Sequence, residues 1–131
     1  MIALDTNVLV RYLAQDDVRQ SALATRLIER TLGASNRGYI SLVTLLESVW
    51  VMQSCYGADT AAVAGILDDL VDSESLQLQD AAAVAIAARR FALASVDLHD
   101  CLIVSLAAQH KAPVVTFDAK AAKQLGMQLL R

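Results

Sequence analysis

Five carboxylates in this sequence interrupt apolar stretches in which a charge has no solvated face to occupy: Asp5, Glu47, Asp97, Asp100 and Asp118. The remaining nine of the 14 acidic residues, Asp16, Asp17, Glu29, Asp59, Asp68, Asp69, Asp72, Glu74 and Asp80, fall at helix starts or on charged helix faces. Capping and solvation account for those nine. Asp5 and Asp118 share one grammar, an apolar strand followed by a carboxylate and then a helix. In open parallel sheets ligands bind where strands end and helices begin. Asp100 falls in the first turn of a helix, where backbone N–H groups and the helix dipole favour an anion. Glu47 is the only charged residue between Tyr39 and Tyr56. A carboxylate buried alone there must be protonated, paired or bound to a cation. Each acid also has a purely structural reading, with Asp5, Asp97 and Asp118 as N-caps and Asp100 enriched at a third helical position. Of the Asp97–Asp100 pair, Asp97 is expected to cap and Asp100 to point toward the sheet edge.

If these acids meet, electrostatics dictates what else is needed. Two carboxylates about 5 Å apart repel by about 3 kcal/mol at an effective dielectric of 20. Four cannot all stay ionised at neutral pH without cations or proton uptake. No arginine or lysine lies within three positions of Asp5, Glu47, Asp97 or Asp100, and only Lys120 lies near Asp118. Hard divalent ions answer that need. A set of oxygen ligands with neither histidine nor cysteine selects Mg²⁺ or Mn²⁺ over Zn²⁺. Such an ion activates a water and steadies the leaving oxygen of a phosphodiester.

The elements that must position these acids follow from periodicity. Ile2 to Leu4 reads as a buried strand, and Val8 to Leu13 as part of a helix ending near Ala14. Asp16-Asp17 starts a second helix to about Thr31, with Leu23, Leu27 and Ile28 on one face. Tyr39-Ile40 is a short strand before a helix from Leu42 to Cys55, which Gly57 ends. Asp59 caps a helix to about Val71, and Leu76 to Gln79 alternates as a strand with one wet face. Asp80 caps an alanine-rich helix to about Ala94, and Cys101 to His110 lies in another. Pro113 to Phe117 is the clearest strand, Ala119 to Leu125 a short helix stopped by Gly126, and Met127 to Leu130 a last strand. Strands alternating with helices imply an α/β sandwich around a parallel sheet.

Composition narrows the function classes. The 131 residues are 56% hydrophobic and 19% charged, with one proline and five glycines, which excludes disorder and suits a single domain over 1–131. No apolar run reaches the ~20 residues of a membrane span, and no signal segment leads the chain, so a complete cytoplasmic protein is expected. Cys55 and Cys101 have no metal-type spacing and read as buried free thiols. A net charge of −3 and a pI of about 5.2 exclude binding of nucleic acid through a basic stripe.

The motifs resemble those of PIN-domain ribonucleases, and among them VapC-type toxins of toxin–antitoxin pairs. The likeness rests on Leu4-Asp5-Thr6-Asn7 through Leu13, Tyr39-Ile40-Ser41 with Thr44 through Val51, Val96 through Ile103, and Val114 through Asp118. It implies a PIN-like three-layer α/β/α sandwich with a central parallel sheet of four to five strands, forming a single PIN domain. It implies that Asp5, Glu47, Asp100 and Asp118 are catalytic and hold the metal, with Thr6, Asn7, Asp97 and Thr116 as polar neighbours. The implied activity is Mg²⁺- or Mn²⁺-dependent endonucleolytic cleavage of RNA by a homodimer held in check by a cognate antitoxin. Val18 and Leu42 stand where these toxins often carry proline, a difference that touches local rigidity rather than chemistry. Arg11 reads either as an RNA phosphate contact or as a surface arginine at a helix end. His99 and His110 read as structural or exposed, because a metal-activated water needs no histidine base.

The alternatives are a stand-alone RNA-processing PIN nuclease, or an inert module that binds antitoxin or signals like a response-regulator receiver. A haloacid-dehalogenase-like phosphatase would need an aspartate two positions after Asp5, where this chain has Asn7. A receiver would need a lysine that is not placed, and would leave Glu47 unexplained.

Overall fold

Strands and helices alternate along the chain as the apolar periodicities require, and the computed structural model describes all 131 residues. The chain divides into two compact units, Met1–Ala81 and Ala82–Arg131. In the first, strand β1 (Ile2–Ala3) leads through Leu4 and Asp5 into helix α1 (Thr6–Ala14). Helix α2 (Val18–Arg26) continues into a π-helical turn, Leu27–Thr31, and strand β2 (Gly38–Ile40) enters helix α3 (Leu42–Tyr56). Helix α4 (Thr60–Asp72) and strand β3 (Leu76–Leu78) complete this unit. Helix α5 (Ala81–Leu93) leads into the second unit, followed by α6 (Leu98–Ala108), β4 (Val115–Thr116), α7 (Ala119–Leu125) and β5 (Gln128–Leu129).

All strand pairs are parallel, so the fold is α/β as expected. The five strands form a ladder of three, ordered β1-β2-β3, and a ladder of two, β4-β5. Ile2 pairs with Gly38 and Ala3 with Tyr39, and the Leu4 amide donates to the Tyr39 carbonyl at 2.9 Å. That last bond carries the ladder to the residue before Asp5. In β3, Leu76 and Leu78 are buried and Gln77 is half-buried, the alternation that the sequence shows. Of the five glycines, Gly38 is the one with no room for a side chain. A Cβ there would lie 2.8 Å from Leu32 Cδ1 and 3.1 Å from Leu76 Cδ2.

Local chemistry ends most helices where the sequence indicates. Asp17 accepts from the Gln20 amide at 2.7 Å and Asp59 from the Ala62 amide at 2.8 Å. Gly57 and Gly126 take left-handed conformations at the ends of α3 and α7, which glycine adopts without strain. Asp80 departs from expectation. Its backbone is itself left-handed, with φ 49°, rather than extended as an N-cap requires.

Two expected faces are also rotated. The buried stripe of α2 runs through Ser21 and Ala24 to Ile28, while Leu23 is exposed. Spacings of three then four residues select that stripe, and Leu23 falls off it. Cys55 is exposed near the end of α3, and Cys101 is buried, where burial pushes its thiol up from the usual range. No helix is long and apolar enough to cross a membrane.

Candidate functional site

Asp5 follows the β1 ladder and stands at the N-cap of α1, with extended backbone. Its Oδ1 accepts from the Thr6 amide at 2.8 Å, which fixes the carboxylate at the helix start. Glu47 is delivered by α3. Ser41 Oγ accepts the Thr44 amide at 3.2 Å, and Gln79 Oε1 accepts the Leu42 amide at 2.9 Å, so both strand ends anchor the start of that helix. The buried face of α3 is Thr44, Leu45, Ser48, Val49 and Met52. Glu47 is on the other side and is exposed, between exposed Val43 and Trp50. The expectation of a buried Glu47 is therefore corrected. Apolar residues surround it in sequence, but some of them face solvent, so no desolvation penalty forces its charge to be compensated.

Asp5 and Glu47 open on one cavity of about 400 Å³, which Thr6, Asn7, Arg11, Cys55 and Tyr56 also line. The ion pairs of the chain are Arg11–Asp16 and His99–Asp100, so neither cavity carboxylate has a cationic partner. Arg11 is engaged elsewhere. Its Nη1 donates to both Asp16 oxygens at 3.1 and 3.2 Å, and its Nε donates to Gln20 Oε1 at 2.8 Å. Tyr56 also donates to Asp16. That bond, with help from Arg11, holds the Asp16 carboxyl below the usual carboxylate range. The same bond pushes the Tyr56 phenol up, and Asp16 likewise raises Arg11.

In the second unit, Asp97, His99 and Asp100 gather at the start of α6. Each offers one ligand atom, and those atoms all lie within 4.8 Å of one another. His99 Nε2 is 3.5 Å from Asp100 Oδ1. Asp97 occupies the N-cap position but its side chain makes no capping hydrogen bond. The expectation that Asp97 caps holds for its place and fails for its chemistry, since its side chain makes no capping bond and lies near His99 and Asp100 instead. Asp118 caps α7, its Oδ1 accepting the Ala121 amide at 3.1 Å, and it is not a member of that cluster. Thr116 Oγ1 accepts from the Asp118 amide at 3.0 Å, so this threonine braces the backbone of Asp118 and not its carboxylate.

The structure thus brings Asp5, Glu47, Thr6, Asn7 and Arg11 to one cavity, and Asp97 and Asp100 to one cluster. Three participants escaped sequence reading. Tyr56 and Cys55 reach the cavity from the end of α3, where nothing local marks them. His99 was legible in principle, since Asp97-Leu98-His99-Asp100 puts three donors in one helical turn.

Compared with known families, the chain matches the PIN domain over residues 2–125, and it belongs to that family. A search of curated proteins found no match. PIN domains are generally nucleases and typically use divalent metals. The donors fit such an ion. Two ligands of one ion at about 2.1 Å each can stand at most about 4.2 Å apart, so the Asp97–His99–Asp100 atoms need only a small inward adjustment.

Proposed function

We propose that this PIN-domain protein is a divalent-metal-dependent endoribonuclease, with Asp5, Glu47, Asp100 and Asp118 as its essential acids, working in the cytoplasm as the toxin of a VapBC-type pair. What carries this reading is the meeting of two carboxylates remote in sequence, Asp5 and Glu47, on one cavity of a PIN-family chain. Mg²⁺ or Mn²⁺ held by such carboxylates lowers the pKa of a water and stabilises charge on a phosphodiester's leaving oxygen.

The chain's own residues supply position. The Thr6 amide holds one oxygen of Asp5 and leaves the other free for a ligand. The two anchors at the start of α3 fix the turn that carries Glu47. Asn7 offers a neutral amide to the cavity rim. Arg11 commits Nε and Nη1 to its neighbours, so an RNA phosphate contact would be made through Nη2. Thr116 steadies the turn that presents Asp118.

A protein partner suits the exposed side of α3, where Val43 is 77% and Trp50 63% exposed beside Glu47. In this reading a cognate antitoxin covers that side and neutralises the acidic cavity with a basic side chain. The protein acts as one domain over residues 1–131 and as a homodimer.

The test incubates antitoxin-free protein with total RNA and Mg²⁺ or Mn²⁺. Asp5→Asn and Asp100→Asn are each expected to lower the cleavage rate by at least about 100-fold, with unchanged circular dichroism. Full cleavage in chelator, or by Asp5→Asn, would overturn the mechanism.

A further inference from the structure

Selectivity of a divalent site follows from its donors, and one donor at the start of α6 is a nitrogen. We propose that His99 is a direct ligand beside Asp97 and Asp100, and that it raises the affinity of this site for Co²⁺ and Zn²⁺ relative to Mg²⁺. The inference rests on the metal-dependent reading above.

Three observations lead to it. The imidazole and the two carboxylates already lie within 4.8 Å of one another. Asp97 stands at a cap position without making the cap bond, so its oxygens keep their ligand capacity. The side chain of His99 is 58% exposed and that of Asp100 26% exposed, so an ion arriving from solvent meets them without unfolding anything. The helix start opposes a cation with about half a positive charge, and two carboxylates outweigh it. Carboxylates and waters suit Mg²⁺, whereas an imidazole favours Zn²⁺ and its neighbours in the first transition row. With His99 as ligand the site becomes a mixed nitrogen–oxygen set.

The experiment measures metal binding and leaves RNA aside. Calorimetric titrations with Zn²⁺, Co²⁺ and Mg²⁺ compare the wild-type chain with His99→Ala and His99→Gln. Zn²⁺ and Co²⁺ affinities should fall by at least about ten-fold in both variants, with Mg²⁺ affinity changed by less than about two-fold. In parallel, imidazole nitrogen resonances are followed as Zn²⁺ is added. The chain has two histidines, which makes His110 the internal control. Zn²⁺ should move the His99 resonances and leave those of His110 in place. Zn²⁺ affinity indifferent to His99, or His99 resonances that Zn²⁺ does not move, overturns the proposal.

The outcome is separable from that of the nuclease reading. RNA cleavage that needs Asp5, together with Zn²⁺ binding indifferent to His99, removes only the His99 ligand. Zn²⁺ binding that needs His99, in a protein whose RNA cleavage ignores Asp5 and chelator, removes only the metal-dependent mechanism of cleavage.

Discussion

Asp16, Tyr56 and Arg11 form an exposed triad at the edge of the acidic cavity, and its ionisation has a definite pH signature. Tyr56 gains its carboxylate partner only in the folded chain, and its phenol is raised above the ordinary 10.0. Its contribution to stability is therefore complete below pH 10.0 and is lost as pH rises through the folded value. Asp16 behaves in the opposite sense. Its carboxyl is depressed, so its contribution is present above the ordinary 3.8 and is lost as pH falls through the folded value. Asp16→Asn should bring the Tyr56 phenol back toward its ordinary titration, read by tyrosinate absorbance against a Tyr56→Phe control. An unaltered titration curve would mean that the bond is not populated in solution. None of this triad is legible in the sequence, because Asp16 lies in the loop between α1 and α2 while Tyr56 ends α3, 40 positions on.

At the scale of elements, the acids are held by caps and ladders more than by their own contacts. Ser41, Gln79 and Gly57 fix both ends of α3, and the ladder continued by Leu4 fixes the entry to α1. Gly38 is the tight point of that ladder, where a methyl group would meet buried Leu32 and Leu76. Gly38→Ala should destabilise the protein by about 1–3 kcal/mol, seen as a lower Tm in thermal melts. A Tm equal to wild type would show that Leu32 repacks without cost. Caps were the most readable local feature: Asp17, Asp59, Ser41, Gly57 and Gly126 stand where their types demand. Asp80 and Asp97 were not readable, because an aspartate before a helix fixes neither its own φ nor the direction of its carboxylate.

For the whole molecule, charge bears on how the proposed RNA substrate would be met. The net charge is −3, and Arg11 is already paired with Asp16. Arg11 is the only basic residue lining the Asp5–Glu47 cavity, so if RNA is met there through a metal ion, the log–log dependence of its affinity on salt should have a slope shallower than about −2 for single strands. A slope near about −4 would reveal a basic face and refute metal-led binding. The sequence by itself determined the α/β class, the order of strands and helices, most helix ends and the list of unusual acids. Those features depend on residue type and on periodicity along the chain, both of which are local. Tertiary structure decided the rest. It turned Glu47 outward beside Asp5, tied Arg11 to Asp16 and Tyr56, and set His99 against Asp100. Each of these depends on which side of a helix faces its neighbours, and only packing of the apolar stripes fixes that rotation.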